Sequence, residues 1–149
     1  MPLRPRLSRM FLRVAFLLSF ALAAHAGPFD SVKIEKVKTS IYVGSVTLTT
    51  GVMQRTNGEY SADYQAKVFP YFFENEKGRL WITFSDADLE NLAKGQTVQF
   101  NGHAQNSDKE ERRIEGRAIP SGAKQGKIKV RVWVSPKIEL IFNTTYRFE

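Results

Sequence analysis

The side chains able to do chemistry are few and widely spaced in this chain of 149 residues. It has no cysteine and only two histidines, so a thiol nucleophile and a cluster of His and Cys metal ligands are both excluded. His103 is the only histidine after residue 26, and no Gly-x-Ser-x-Gly stretch provides a nucleophile elbow. We therefore predict no catalytic residue, no metal site and no cofactor, and we expect that the protein is not an enzyme.

Three acidic residues at alternate positions, Asp86, Asp88 and Glu90, have the spacing that opens a calcium-binding loop. Such a loop needs a glycine at its sixth position, which is Asn91 here, and a glutamate at its twelfth, which is absent. Acidic residues also stabilise the first turn of a helix, where backbone N–H groups are unpaired. We interpret the three residues as the start of a helix rather than as a metal site.

Aromatic residues crowd into residues 67–84, KVFPYFFENEKGRLWITF. If strand alternation runs through this stretch and the hairpin is symmetric about Glu76, Tyr71 lies opposite Trp81 on one face. The four rings predicted to share that face are Phe69, Tyr71, Phe73 and Trp81. Because they would expose several hundred Å² of apolar surface, we predict a binding surface for a ligand or a partner. Two alternatives remain: a chain segment covers the rings, or they line the barrel interior as a pocket.

A second candidate surface lies near the C-terminus, where Lys129, Arg131 and Trp133 share one face of a predicted strand. Two cations beside an indole ring suit contact with an anionic surface. The alternative is a solvated strand face, on which lysine and arginine discourage edge pairing.

The elements that position these residues are mostly strands. In GKIKVRVWV (126–134) the aliphatic residues occupy every second position, which is the period of a strand with one buried side. Asn57-Gly58 between two alternating runs predicts a tight hairpin. Gly51 predicts a bulge, and Gly102 and Gly116 predict sharp bends.

One segment has a helical pattern instead of strand alternation. SDADLENLAKG (Ser85–Gly95) begins with a serine N-cap and ends with a glycine, which predicts a helix of two to three turns. About eight short strands at hairpin spacing surround it. We therefore predict an all-β fold, a single small antiparallel β-barrel or barrel-like sandwich with one short helix.

Residues 1–26 have the pattern of a secretory signal peptide. Four arginines precede the apolar run Val14–Leu22, and Ala24-His25-Ala26 matches a signal-peptidase site. The run is far shorter than the roughly 20 residues that span a bilayer. We predict Sec-type export, cleavage after Ala26, and a single domain over residues 27–149 in the periplasm or outside the cell.

Removal of these 26 residues leaves 18 basic against 15 acidic residues, so the net charge falls from +7 to +3. That charge does not favour nucleic acid as a partner, and we predict no membrane span in the mature chain. The expected function is an exported, non-enzymatic binding module for an apolar or amphipathic small molecule or an envelope protein. The alternative is a structural envelope protein that forms homo-oligomers through the aromatic surface. A large apolar cavity inside the barrel would favour a carrier, whereas a fully packed core would exclude one.

Overall fold

The computed structural model of the protein describes residues 27–149, so the predicted signal peptide lies outside the described part. The described chain is mostly strand, with one α-helix and a single 3-10 turn at Phe72–Glu74. In chain order, the elements are β1 (Ser31–Ile34), β2 (Val37–Ile41), β3 (Gly44–Thr50), β4 (Met53–Thr56), β5 (Glu59–Phe69), β6 (Glu76–Thr83), α1 (Asp86–Ala93), β7 (Val98–Asn106), β8 (Glu111–Pro120), β9 (Gln125–Ser135) and β10 (Ile138–Phe148).

The strands close into an antiparallel barrel in which neighbours along the chain are neighbours in the sheet. β1 pairs with β4, β2 pairs with β3, and β5 lies against both β3 and β4. The ladder continues from β5 through β6, β7, β8 and β9 to β10, which pairs back with β1. Because β1–β2 and β3–β4 are each one interrupted strand, the barrel has eight strands. The predicted barrel is confirmed.

The interruption between β3 and β4 is a bulge at Gly51. Thr50 lies opposite Tyr64, whereas Gln54 lies opposite Ser61, so one extra residue stands on the β3–β4 side. An extra residue bends its strand and increases the local twist, which helps a sheet to close. The bulge predicted from the glycine is confirmed.

Two predicted turns are confirmed by their backbone angles. Asn57 and Gly58 have φ of 53° and 78°, which places both in the left-handed region that a two-residue hairpin requires. Gly95 has φ of 83° at the end of α1, where a side chain would strain the backbone.

The two ends of the barrel differ. At one end, which we call the helix end, lie the Asn57-Gly58 turn, α1 and the 121–124 turn. At the other end, which we call the mouth, lie the four connections 42–43, 70–75, 107–110 and 136–137. The assignment follows from the antiparallel order, because successive connections alternate between the ends.

Alternation sorts the side chains into the barrel or away from it, as predicted. On β5, Tyr60, Ala62 and Tyr64 are buried, while the residues between them are more exposed. The helix end is filled by large side chains, of which Met53 and Leu92 are the most buried. The aromatic residues packed there include Tyr60, Phe84, Phe100, Tyr146 and Phe148.

Helix α1 covers the helix end. Ser85 and Asp88 form a reciprocal capping box, in which the Ser85 N–H donates to Asp88 Oδ2 at 2.9 Å and the Asp88 N–H donates to Ser85 Oγ at 3.1 Å. Leu89 and Leu92 are buried against the barrel core. At 8 residues the helix is too short to cross a membrane, and it is the only α-helix in residues 27–149. The predicted helix is confirmed.

The predicted register of the aromatic hairpin is wrong. Trp81 pairs with Ser61, not with Tyr71, and Glu76 pairs with Ala66 instead of lying at the centre of the turn. The strand ends at Phe69 because the next residue is a proline, which has no N–H to continue the ladder. The residues between β5 and β6 therefore form a loop, in which Phe72 is exposed.

Candidate functional site

The mouth of the barrel is a wide depression of about 640 Å³. Part of its lining is apolar and comes from β2, β10 and the adjoining loops, including Ile41, Val43, Tyr71, Phe73, Ile138 and Leu140. Another part is polar and comes from β6, β7, β8 and the 107–110 loop. The mouth is thus amphipathic, with separate apolar and polar regions.

The mouth continues into an inner cavity of about 80 Å³. The two share six lining residues, namely Val46, Ala66, Glu76, Arg112, Val134 and Leu140. The rest of the cavity lining is largely aliphatic. Inward-pointing residues such as Val130 and Val132 remain half-buried, because no side chain fills the space in front of them. The barrel is therefore packed at the helix end and hollow towards the mouth.

Five residues form a polar cluster where the mouth meets the inner cavity: Tyr64, Glu76, Asn106, Glu110 and Arg112. The Arg112 guanidinium lies 3.0 Å from Glu76 Oε1 and 3.4 Å from Glu110 Oε2. Asn106 Nδ2 donates to the same Glu76 oxygen at 2.6 Å. Only 16% of the Arg112 side chain and 19% of the Glu76 side chain are exposed, so this pair is largely shielded from water. A shielded, charge-assisted contact holds its geometry better than a surface ion pair.

Asn106 also organises the rim of the mouth. Its Oδ1 accepts hydrogen bonds from the Asp108 N–H at 3.0 Å and the Glu110 N–H at 2.8 Å. These two bonds form the turn between β7 and β8. The turn places the Glu110 carboxylate beside Arg112.

Tyr64 lies in the polar cluster with its hydroxyl buried. Burial raises the pKa of Tyr64 well above its usual range, the Glu76 carboxylate raises it further, and Arg112 opposes the shift. The hydroxyl therefore remains protonated. The Glu76 carboxylate raises this pKa both through its charge and as a hydrogen-bond acceptor for the Tyr64 hydroxyl.

The four residues of the predicted aromatic surface do not stay together. Phe69, Tyr71 and Phe73 lie at the mouth, where Tyr71 and Phe73 line the depression and pack edge to face with centroids 5.9 Å apart. Phe69 packs against Phe72 outside it. Trp81 lies away from them on the outer barrel wall, where it stacks on His103 with centroids 4.9 Å apart. Three of the four predicted residues therefore mark the mouth.

The register yields a coupling prediction. We expect the Trp81→Ala, His103→Ala double-mutant cycle to give a coupling energy of about 0.5–1 kcal/mol, because the rings are stacked cross-strand neighbours. The Trp81→Ala, Tyr71→Ala cycle serves as the control and is expected to give none. Both are measured by urea unfolding. A larger coupling for the tyrosine pair would restore the register predicted from sequence.

The predicted anionic-contact residues lie on the outer wall. Lys129 and Arg131 line a groove of about 270 Å³ together with Glu115 and Arg117. Trp133 lies on the same outer face of β9, as predicted, but it does not line the groove, and the guanidinium of Arg113 lies over its ring at 3.9 Å. Contact with an anionic surface remains a prediction for this groove.

Within residues 27–149, no three His, Cys, Asp or Glu side chains converge into a group that could hold a metal ion. Asp86 and Asp88 lie in the first turn of α1, as expected of helix-stabilising acids. Asp86 also lies 3.0 Å from Arg55 of β4, which ties the helix to the barrel wall.

Sequence reasoning missed all five residues of the polar cluster, Tyr64, Glu76, Asn106, Glu110 and Arg112, as site residues. The sequence does indicate one of them. Alternation along β8 places Arg112 on the same inward face as the buried residues Ile114 and Ala118. A charged residue in an inward set marks a site where the interior is not simply packed.

No protein-family model matches this sequence, and comparison with curated proteins and with solved structures finds no significant similarity.

Proposed function

We propose that the protein is an exported, non-enzymatic binding module whose barrel takes up an apolar or amphipathic small molecule through the mouth. The observation that carries the proposal is the hollow half of the barrel, where Val130 and Val132 point inward yet remain half-buried. Leaving aliphatic surface uncovered costs about 25 cal/mol per Å². A ligand that covers this surface recovers that free energy on binding.

The rim of the mouth supports the same function. Tyr42 is fully exposed, and Phe73 is 80% exposed beside the depression. Large apolar side chains collected around an opening form a contact surface for an incoming apolar molecule. The amphipathic lining suits a ligand with both an apolar body and a polar group.

Residues 1–26 support the export part of the proposal. Their basic start, short apolar run and small-residue cleavage pattern are typical of a Sec signal peptide. Outside the cytoplasm, in the periplasm or beyond, an apolar molecule needs a protein to cover it in water. A small barrel without cysteines can serve there in any redox state.

Filling the inner cavity tests the proposal. Wild-type protein is expected to bind N-phenyl-1-naphthylamine, a dye that fluoresces in apolar surroundings, and Val132→Phe is expected to weaken that binding at least tenfold. The larger ring occupies the space in front of Val132 without overpacking, so the unfolding free energy should change by less than about 1 kcal/mol. Fluorescence titration and urea unfolding measure the two effects.

Ile141→Phe is the matched control, because Ile141 lies opposite Arg131 on the outer face of β10. It enlarges an outward side chain and should leave dye binding unchanged. Equal weakening by both variants, or a wild-type protein that binds no dye, would contradict a binding site inside the barrel.

Self-association is a second candidate function, favoured by the exposure of Tyr42 and Phe73 at the mouth. Two copies joined mouth to mouth would cover these side chains and close the opening. Sizing chromatography across a concentration series separates the two functions: a carrier remains a monomer that binds dye, whereas the self-associated form gains mass and loses dye.

A further inference from the structure

We infer that the groove on the outer barrel wall, lined by Arg117, Lys129 and Arg131, is a second binding site and takes an anionic polysaccharide. The groove lies on the outward faces of β7, β8 and β9, whereas the mouth leads into the interior. The inference therefore stands independently of the binding function proposed for the mouth.

The arginines of the groove differ from the other arginines of the barrel. Residues 27–149 contain seven arginines, of which five form a salt bridge with a carboxylate. The two without such a partner in this part of the chain are Arg117 and Arg131, and both line the groove. Glu115 also lines it, but its Oε1 is held by Arg113 at 3.2 Å. The groove thus contains cations that the described chain does not neutralise.

The three cations of the groove equal the whole net charge of the described chain. Residues 27–149 contain 18 basic and 15 acidic residues, which gives a net charge of +3. Without Arg117, Lys129 and Arg131, the remaining 15 basic residues balance the 15 acidic ones. Charges of one sign that line a depression focus the electric field there and attract an oppositely charged partner.

Two of these cations are direct neighbours in the sheet. Arg117 of β8 lies opposite Lys129 of β9, and like charges in that position destabilise a pair of strands. Elsewhere on the outer wall the equivalent position holds opposite charges, since Arg79 of β6 lies opposite Asp63 of β5 at 3.1 Å. An anion bound in the groove neutralises both cations and removes their repulsion. The pairing of Arg117 with Lys129 therefore points to an anionic ligand.

The rest of the lining favours a sugar chain over a membrane. Gln99 and Asn101 of β7 line the groove with exposed side chains, and Gln99 lies directly opposite Arg117. Side-chain amides both donate and accept hydrogen bonds, which suits the hydroxyl groups of a sugar. A groove of about 270 Å³ also fits a chain lying along it better than the plane of a bilayer. A polysaccharide whose sugars carry carboxylate or sulfate groups satisfies the cations and the amides together.

Three probes test this inference by isothermal titration calorimetry: polygalacturonate, the neutral chain dextran, and vesicles of phosphatidylglycerol. We expect wild-type protein to bind polygalacturonate more tightly than the vesicles at the same concentration of anionic groups, and not to bind dextran. Raising NaCl from about 50 to about 200 mM should weaken the binding about tenfold, because salt competes for charged contacts. Arg117→Gln combined with Lys129→Gln should also weaken it about tenfold at the lower salt concentration.

Lys38→Gln combined with Lys67→Gln is the matched control. Both lysines are exposed on the outer faces of β2 and β5, on the far side of the barrel from β8 and β9. This variant loses the same two charges without altering the groove, so its affinity for polygalacturonate should stay within about twofold of wild type.

Stability keeps the test clear of misfolding. Arg117→Gln combined with Lys129→Gln removes a repulsion between neighbouring strands, so its urea midpoint should equal that of wild type or exceed it. Both side chains face away from the inner cavity, and the variant should therefore bind N-phenyl-1-naphthylamine as wild type does.

The outcomes separate this inference from the function proposed for the mouth. Equal weakening by the two double variants, binding of dextran as tight as that of polygalacturonate, or tighter binding of the vesicles would overturn the polysaccharide site. A wild-type protein that binds the dye but not polygalacturonate would also overturn it and leave the proposed function standing. Binding of polygalacturonate without the dye would have the reverse meaning.

Discussion

Replacing Arg112 by methionine is expected to lower the free energy of unfolding by about 3 kcal/mol. The change removes the cation that lies 3.0 Å from Glu76, a carboxylate whose side chain is only 19% exposed, and leaves it with neutral hydrogen-bond partners such as Asn106. A shielded charge without its counter-ion is costly because the barrel wall cannot solvate it. Urea unfolding at neutral pH measures the loss.

Arg113→Met is the matched control for this prediction. Arg113 is the adjacent residue on β8, but it faces outward, with 61% of its side chain exposed and Glu115 at 3.2 Å. A surface ion pair contributes little, so the expected loss is below about 1 kcal/mol. The double variant Glu76→Leu, Arg112→Met should recover most of the stability, because it removes the charge as well as its partner. If Arg112→Met costs no more than Arg113→Met, the polar cluster is not shielded as described.

Gly78→Ala is expected to cost about 3 kcal/mol or to prevent folding. A Cβ at this position of β6 would lie 2.1 Å from the Gln105 carbonyl oxygen and 2.7 Å from the Asn106 Cα. Both atoms belong to the backbone of β7, so a side chain cannot rotate out of the way, and the two strands must separate. The separation would occur beside the polar cluster and should also weaken dye binding.

Gly122→Ala is the corresponding control. Gly122 lies in the turn between β8 and β9, and a Cβ there would meet nothing nearer than a Gln125 side-chain atom at 3.6 Å. We expect its urea midpoint to stay within error of wild type. A Gly78→Ala protein as stable as Gly122→Ala would show that β6 and β7 are not packed this closely.

The faces of the strands were predictable because alternation is a local property. In β9, residues 128–134 need only one buried and one solvated side to place the aliphatic residues inside. The N-cap serine and terminal glycine of α1 act equally locally, and the helix was predicted within one residue of its observed bounds. These features together were sufficient for an all-β barrel with one helix.

The register of β5 with β6 was not predictable in the same way. Pairing depends on where the loop begins, and continuing the alternation past Pro70 moved Trp81 from its partner Ser61 to Tyr71. Proline was the available signal, since it has no N–H for the sheet. A strand that ends before Pro70 places Tyr71, Phe72 and Phe73 in a loop, as observed.

The site itself depends on barrel closure, which no short stretch of sequence contains. Glu76 and Arg112 are 36 positions apart and meet only because β6, β7 and β8 lie side by side. Alternation along β8 predicts the inward position of Arg112, whereas Glu76 was expected at the centre of a turn and lies instead on β6 opposite Ala66. An inward position faces a packed core near the end that α1 covers and a cavity near the other end. The end that α1 covers is determined by the whole fold and not by the sequence around the position.

Because α1 covers the helix end, the inner cavity of the barrel opens towards the mouth. If the protein is the carrier proposed above, a ligand must leave by the opening through which it entered. Loading and unloading of such a carrier would then both take place at the rim around the exposed side chains of Tyr42 and Phe73. A donor and a recipient of the ligand would therefore have to bind that rim one after the other and not at the same time.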